Sequence, residues 1–167
     1  LRVLQAVARR FERGDVVPAG HLDGIMEFLT IFVDRCHHGK EEEFLFPAME
    51  AAGVPREGGP IGVMLSEHEQ GRALISRIKE SLARHASGEK QAAADSAAAI
   101  YQYVDLLTQH IAKENSVLFS LADSRLDAGR DNQLFEDFER LERERIGIGK
   151  HEAFHRLLDQ LSDTYLK

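Results

Sequence analysis

Two pairs of His and Glu residues in the sequence share the same spacing and the same neighbours. His37 precedes Glu41 by four residues, and His110 precedes Glu114 by four residues. In both copies Lys lies directly before the Glu and Leu-Phe begins four residues after it, so that the copies are offset by a constant 73 residues. Side chains four residues apart lie one above the other on a helix, so each pair can direct an imidazole and a carboxylate at one point. Two such helices facing each other would form a metal site inside a helical bundle.

Both pairs interrupt stripes of apolar residues. Apolar side chains at steps of three and four mark the helix face that packs into a core. The first stripe reads Met26, Leu29, Val33, His37, Glu41, Phe44 and Ala48, and the second reads Ile100, Tyr103, Leu107, His110, Glu114 and Leu118. A buried carboxylate without a partner is costly, so we expect a cation beside each Glu.

A third stripe carries one more imidazole. It reads Ile61, Met64, His68, Gly71, Ile75, Ile78 and Leu82, and His68 is its only titratable member. Three imidazoles and two carboxylates facing one core are donors for one or two transition metal ions. The predicted metal ligands are therefore His37, Glu41, His68, His110 and Glu114.

The elements that must position these residues are helices. Apolar residues recur at steps of three and four almost throughout, without the alternation of strands, which predicts an all-α protein. The predicted helices cover residues 1–12, 23–52, 60–86, 90–122, 132–145 and 150–166. Short connections between the second, third and fourth helices favour antiparallel neighbours. We expect a four-helix bundle over residues 1–125 and a helical extension over residues 126–167 that packs on it.

Composition narrows the classes of function. The chain has 167 residues, 43% of them hydrophobic, which suffices for one domain with its own core. Its net charge of -7, with no basic block, argues against nucleic acid as a partner. No apolar run approaches the eighteen residues of a membrane span, so no membrane association is expected. Cys36 is the only cysteine, which excludes intrachain disulfides and favours the reducing cytoplasm. We expect Cys36 to be a small residue of the core.

Two buried ion networks without metal are the first alternative. In that interpretation Lys40 and Lys113 neutralise the buried glutamates, but each Lys lies one residue before its Glu and so points in another direction. His38 lies about 100° around the helix from His37 and is expected to face solvent. Arg72 is also expected to face solvent. For Tyr103, a core position and a pocket position over the metal both stay open.

A different motif occurs near the end of the sequence. His151, Glu152 and His155 match the H-E-x-x-H pattern of zinc peptidases. Those enzymes need a third ligand from another element, and only twelve residues follow His155. Asp159 and Asp163 continue the same helix and cannot easily close a tetrahedral site. The sequence therefore favours a surface pair or a supporting role beside the bundle site over a peptidase.

Three stretches of the sequence together resemble the hemerythrin-like, or HHE cation-binding, domains. The chain is also similar to bacterial di-iron proteins linked to repair of iron-sulfur clusters. The three stretches are HHGKEEEFLFP at His37 to Pro47, GPIGVMLSEHE at Gly59 to Glu69 and HIAKENSVLF at His110 to Phe119. The resemblance implies an up-down-up-down four-helix bundle that holds two iron ions, with zinc or manganese as substitutes. It implies that the three histidines are terminal ligands and that Glu41 and Glu114 bridge the two metals.

Two departures from that family affect the expected function. The family carries a further His ligand near the start of its first helix, which we expect to precede Leu1. Oxygen carriers place a second His four residues after the third-helix ligand, where this chain has Arg72. Fewer imidazoles leave more open coordination positions, which favours redox chemistry over reversible oxygen carriage.

The expected function is therefore a non-haem di-iron protein that binds or reduces a small oxidant such as dioxygen, peroxide or nitric oxide. A metal-dependent iron or oxygen sensing module without turnover is the main alternative. A metal-free helical interaction domain is a third. The sequence identifies neither a protein partner nor a reductant.

Overall fold

The computed structural model describes residues 1–147 and 149–167. The regular structure in these residues is helical throughout, which confirms the predicted all-α fold. Six helices follow one another: α1 at Arg2–Arg13, α2 at residues 19–51, α3 at Pro60–Ala86, α4 at residues 92–125, α5 at Ala128–Arg145 and α6 at Lys150–Tyr165. Across the described residues, no helix combines the length and the apolar character needed to cross a membrane.

The two helices that carry the repeated pairs contain π-helical turns. α2 begins as an α-helix at Ala19–Glu27, widens to π-helix at Phe28–His38 and Glu41–Leu45, and ends as an α-helix at Phe46–Ala51. α4 has a single π-helical segment, Glu114–Leu118, between Ala92–Lys113 and Phe119–Arg125. Each repeated Glu thus begins a five-residue π-helix. Such turns are rare and occur frequently at functional sites.

Two helices begin earlier than the sequence pattern predicted. α2 begins at Ala19 rather than at residue 23, directly after Pro18, whose extended backbone ends the preceding loop. α5 begins at Ala128 rather than at residue 132, because the side chain of Asp127 accepts a hydrogen bond from the backbone N–H of Arg130 at 2.8 Å. The first turn of α5 carries no apolar residue apart from Ala128, so periodicity alone did not locate it.

The bundle has two apolar cores separated by a polar layer. α1 and α3 both pack against α4. One core includes Leu29 of α2 and Leu107 of α4, and the other includes Leu45 and Leu118 of the same two helices. The predicted ligands of α2 and α4 fall between these positions along both helices. Packing on either side therefore holds the polar layer inside the bundle.

The last two helices lie against the bundle. Lys40 of α2 donates to Glu142 of α5 at 2.6 Å, and Arg145 of α5 donates to Glu43 at 2.5 Å. Leu161 of α6 is buried in the same core as Leu29. The division into a bundle of residues 1–125 and an extension of residues 126–167 stays a prediction.

Candidate metal centre

The polar layer brings together imidazoles and carboxylates from α2, α3 and α4. His38, His68, His110, Glu41 and Glu114 each expose 3% or less of their surface. One nitrogen from each of the three histidines lies within 4.8 Å of the other two. The same distance holds for a second group of four donor atoms, one from each of Glu41, His68, His110 and Glu114, which all lie within 4.8 Å of one another. The layer thus contains convergent donors of the kind that transition metals prefer.

His68 is held between an inner and an outer carboxylate. Its Nε2 lies 3.2 Å from Oε2 of Glu41, and its Nδ1 lies 2.7 Å from Oε1 of Glu42. Arg72 donates to Glu42 at 2.6 Å and to Asp34 at 2.7 Å. The guanidinium of Arg72, predicted to face solvent, is thus only partly exposed and fixes the carboxylate that orients His68.

His110 has the same arrangement. Its Nε2 lies 2.9 Å from Oε1 of Glu114, and its Nδ1 lies 3.0 Å from Oε2 of Glu67. Glu67 is in turn paired with Lys113. A carboxylate on the outer nitrogen fixes the tautomer of an imidazole and makes the inner nitrogen a better metal ligand.

The sequence reasoning missed these outer carboxylates, Glu42 and Glu67. Each is adjacent in sequence to a predicted ligand, since Glu42 follows Glu41 and Glu67 precedes His68. That adjacency was the only sign of them. Their pairing depends on contacts between helices, which the helical period of one segment does not reveal.

The two lysines of the repeated motif do not neutralise the buried glutamates. Lys40 pairs with Glu142, and Lys113 pairs with Glu67. Neither pairs with Glu41 or Glu114 in the described structure. The alternative of two lysine-neutralised ion networks is therefore contradicted, and the inner carboxylates need another cation.

The prediction that His38 faces solvent is wrong. Its ring is 3% exposed and stacks on the ring of His68, with centroids 3.9 Å apart and planes inclined by 12°. The side chain of His37 is 44% exposed, and its Nε2 lies 3.7 Å from Oε1 of Glu114. The π-helix Phe28–His38 has more residues per turn than an α-helix, which turns His38 towards the layer. The sequence did contain a sign of this, because His38 and Glu42 are also four residues apart.

Several buried polar atoms on the inner side of the layer lack hydrogen-bond partners among the described residues. In the part of the chain that the structure describes, eight buried side-chain atoms have none: Nδ1 and Nε2 of His38, Oε1 and Oε2 of Glu41, Nε2 of His68, the hydroxyl of Tyr103, Nε2 of His110 and Oε1 of Glu114. All but the Tyr103 hydroxyl belong to the layer. Folded proteins rarely leave such groups unpaired, because each costs free energy when water is removed. Donors without partners that converge on one place fit a bound metal.

Charges and burial within the layer shift its pKa values in directions that favour metal binding at Glu114 and His38 but hold protons on His37 and His110. Burial alone would raise the pKa of Glu114, but the imidazoles of His110 and His37 outweigh it and hold this pKa below its ordinary value. Glu114 in return raises the pKa of His37. Burial would lower the pKa of His110, yet Glu114 and Glu67 keep it raised. Burial lowers the pKa of His38, so this imidazole stays neutral. An ionised carboxylate and a neutral imidazole are both metal-binding forms.

An apolar cavity of about 560 Å³ lies beside the layer. Its wall includes His37, His38 and His110, together with Tyr103. Tyr103 is fully buried, and burial raises the pKa of its hydroxyl. Both interpretations of Tyr103 therefore hold, since it is a core residue and also a pocket residue. Leu158 and Leu161 of α6 close another side of the cavity.

The pair of histidines on α6 does not join the layer. Nε2 of His151 faces Nε2 of His155, and Nδ1 of His151 faces Glu142 of α5. Neither histidine belongs to the two groups of converging donors found in the described residues. Of the two roles that the sequence left open, the structure favours a surface pair over a supporting role beside the bundle site.

Comparison with known proteins connects this layer with a family. The Hemerythrin HHE cation binding domain matches residues 1–122. The iron-sulfur cluster repair protein YtfE of Enterobacter sp. is 32% identical over 129 residues, which cover 72% of this chain and 56% of that protein. YtfE of Salmonella typhimurium is 33% identical over 104 residues, covering 59% of this chain and 47% of that protein.

A third relative aligns with more of the chain. The protein Rv1995 of Mycobacterium tuberculosis is 26% identical over 155 residues, which cover 93% of this chain and 59% of that protein. The chain thus spans about half to three fifths of the length of these relatives. No solved structure gives a significant match. Because the family match covers residues 1–122, the chain belongs to the hemerythrin HHE cation-binding family.

Proposed function

We propose that this chain is a non-haem di-iron protein that binds or reduces a small oxidant such as dioxygen, peroxide or nitric oxide. The observation that carries the proposal is the set of buried donor atoms without hydrogen-bond partners on His38, Glu41, His68, His110 and Glu114. His37 remains a proposed ligand at the edge of this set, beside Glu114. The relatives named iron-sulfur cluster repair proteins support iron as the metal.

The donor set suits iron more than a softer metal. Imidazole and carboxylate donors without a thiolate bind iron or manganese well, and they also accept zinc. Bound iron would supply exchange of single electrons and open coordination positions. Glu41 and Glu114 contribute the negative charge that balances the metal charge, and Glu42 and Glu67 hold the imidazoles of His68 and His110 in place.

The cavity supports a small, weakly polar substrate. Side chains such as Leu29, Val33 and Leu107 line it, and His38 and His110 form part of its wall. A diatomic molecule loses little solvation in such a space, whereas a large anion would lose much. The Tyr103 hydroxyl belongs to the cavity wall, and it has no hydrogen-bond partner among residues 1–147 and 149–167. We propose that this hydroxyl donates a hydrogen bond to the oxidant.

Sensing without turnover remains the second candidate, and one observation favours it. α6 lines the cavity through Leu158 and Leu161 and also contacts α1, so a ligand in the cavity would touch a helix of the extension directly. In that case the response would be a change in the packing of α6 rather than a product.

We also propose a cytoplasmic location, because Cys36 is a buried free thiol.

The test combines metal analysis with a rate measurement. Tag-free protein purified without chelators should contain about two iron ions per chain. The reduced protein should then consume peroxide or nitric oxide faster than Glu114→Gln does. Metal without consumption would favour the sensor, and protein without any transition metal would contradict both.

A further inference from the structure

α6 carries an imidazole pair that the metal centre does not use. His151 and His155 lie one helical turn apart, and their Nε2 atoms face each other at 2.9 Å. The two rings are nearly parallel, with centroids 4.8 Å apart and planes inclined by 23°. Both side chains are accessible, since His155 is exposed and the side chain of His151 is 41% exposed.

A carboxylate from a different helix orients one of the two rings. Oε1 of Glu142 on α5 lies 2.5 Å from Nδ1 of His151, and the edge-to-face contact with Phe32 fixes the ring further. Oε2 of Glu142 accepts a hydrogen bond from Lys40, whose charge therefore balances that of the carboxylate. A carboxylate on the outer nitrogen of an imidazole is the arrangement that supports metal-binding histidines.

The Glu142 contact determines which nitrogen of His151 is free. With Nδ1–H donating to the carboxylate, Nε2 of neutral His151 carries a lone pair directed at His155. In the metal-free pair, Nε2–H of His155 donates to that lone pair. A divalent cation can replace this hydrogen bond when the proton of His155 moves from Nε2 to Nδ1 and both rings turn until their Nε2 lone pairs point at the ion.

The distance between the two nitrogens is compatible with a tetragonal metal ion. Nitrogen ligands lie about 2.0–2.1 Å from such ions, so a nitrogen separation of 2.9 Å corresponds to an angle of about 90° at the metal. A tetrahedral ion with the same bond lengths would need nitrogens about 3.3 Å apart. Angles near 90° are typical of the tetragonal geometry of Cu²⁺ and Ni²⁺.

We propose that His151 and His155 form a second metal site, on the surface of α6, that takes a tetragonal divalent cation such as Cu²⁺ or Ni²⁺. The two Nε2 atoms are the protein ligands, and water fills the remaining positions. Glu142 is a positioning residue that acts through His151. The site is independent of the bundle centre and of its proposed function.

This site differs from that of a zinc peptidase. Glu152, the residue that such an enzyme would use as a base, is exposed. It directly follows His151 and therefore lies about 100° around the helix from it. Within the described residues, neither histidine joins a group of three or more converging donors. Removal of Glu152 should therefore leave metal binding intact, which gives the proposal a matched control.

The experiment counts Cu²⁺ in protein whose bundle has already been loaded with iron. Tag-free full-length protein is titrated with Cu²⁺ under anaerobic conditions, and bound copper is followed by calorimetry and electron paramagnetic resonance. We expect one equivalent of Cu²⁺ with a tetragonal spectrum and nitrogen hyperfine splitting. His155→Ala should lose this equivalent, Glu152→Ala should keep it, and Glu142→Gln should weaken binding about 10-fold.

Two results would overturn the proposal. One is an equal Cu²⁺ stoichiometry and spectrum in wild type and His155→Ala, and the other is loss of the site in Glu152→Ala. Circular dichroism of each variant checks the fold, which His155→Ala should retain because its side chain is exposed. The iron content, measured before and after the titration, verifies that copper has not entered the bundle.

Discussion

Nε2 of His110 lies 2.9 Å from Oε1 of Glu114, one helical turn further along α4, yet neither atom has a hydrogen-bond partner in the described residues. The two atoms are close without the directions that a hydrogen bond requires. Both are buried, so water does not satisfy them. A shared cation explains this relationship, because a metal ion accepts the lone pairs of both atoms.

His110→Ala should destabilise the metal-loaded protein far more than the metal-free protein. A ligand at about 100 times its dissociation constant stabilises the folded state by about 2.7 kcal/mol, and the variant should lose most of this. Thermal unfolding with and without iron measures the difference, with the exposed neighbour Gln109→Ala as control. Equal stability of the two loaded proteins would favour a metal-free helical domain.

Glu42→Gln and Glu67→Gln should each weaken metal binding without removing a direct ligand. Both carboxylates hold the outer nitrogen of a buried imidazole, and loss of such a contact typically costs about 10- to 100-fold in affinity. Competition with a metal-binding dye measures the affinity. The exposed Glu69→Gln on α3 has the same charge change and should have no effect. A similar loss in all three variants would indicate a general charge effect instead.

Tyr103→Phe should stabilise the metal-free protein and leave its metal content unchanged. The hydroxyl is buried without a partner, and removal of an unsatisfied group of this kind recovers about 1 kcal/mol. Chemical denaturation measures the change in the free energy of unfolding. The rate of oxidant consumption should fall, since the proposed hydrogen bond to the oxidant is lost. An unchanged rate would remove Tyr103 from the mechanism.

Leu107→Phe should slow the entry of the oxidant without changing the metal content. Leu107 lines the cavity, and a larger side chain there reduces its volume at a cost of about 1–3 kcal/mol in stability. Stopped-flow rates at several oxidant concentrations distinguish slower entry from slower chemistry. Val63→Phe adds the same kind of bulk at an exposed position outside this cavity. Identical kinetics in Leu107→Phe and wild type would show that the oxidant takes another route.

The metal-free protein should be most stable in mildly acidic solution. The pKa values of His37 and His110 are raised above 6.5, so their contribution is full below this pH and is lost as pH rises through the folded-state values. The pKa of Glu114 is lowered below 4.5, so its contribution is present above 4.5 and is lost on acidification. The lowered pKa of His38 acts in a different range, because its contribution is full above 6.5 and is lost as pH falls through the folded-state value.

We therefore expect the melting temperature of the metal-free protein to fall as the pH rises above about 6.5. Iron-loaded protein should behave oppositely, because protons compete with the metal for imidazole. Glu114→Gln, which removes the partner of both raised histidines, should flatten the fall in the metal-free protein. A melting temperature that rises over the same range would contradict the assigned pKa directions.

The sequence by itself determined the helical fold and the helix faces that carry the donors. Steps of three and four along α2, α3 and α4 place Glu41, His68, His110 and Glu114 on core stripes, because the α-helical period depends only on the local backbone. All four are buried together in the structure. The family resemblance was likewise present in the residues of the two repeated motifs.

Only the tertiary structure revealed that His38 is buried in the polar layer, and only it identified the groups that orient the imidazoles. The π-helical turn at Phe28–His38 departs from the α-helical period, so a projection that assumes this period wrongly placed His38 on the solvent side. The contacts of Glu42 with His68 and Arg72, of Glu67 with His110, and of Glu142 with His151 each join two helices. Contacts between helices that are far apart in sequence produce no periodic pattern in the sequence, because the distance between the contacting residues depends on how the whole bundle packs.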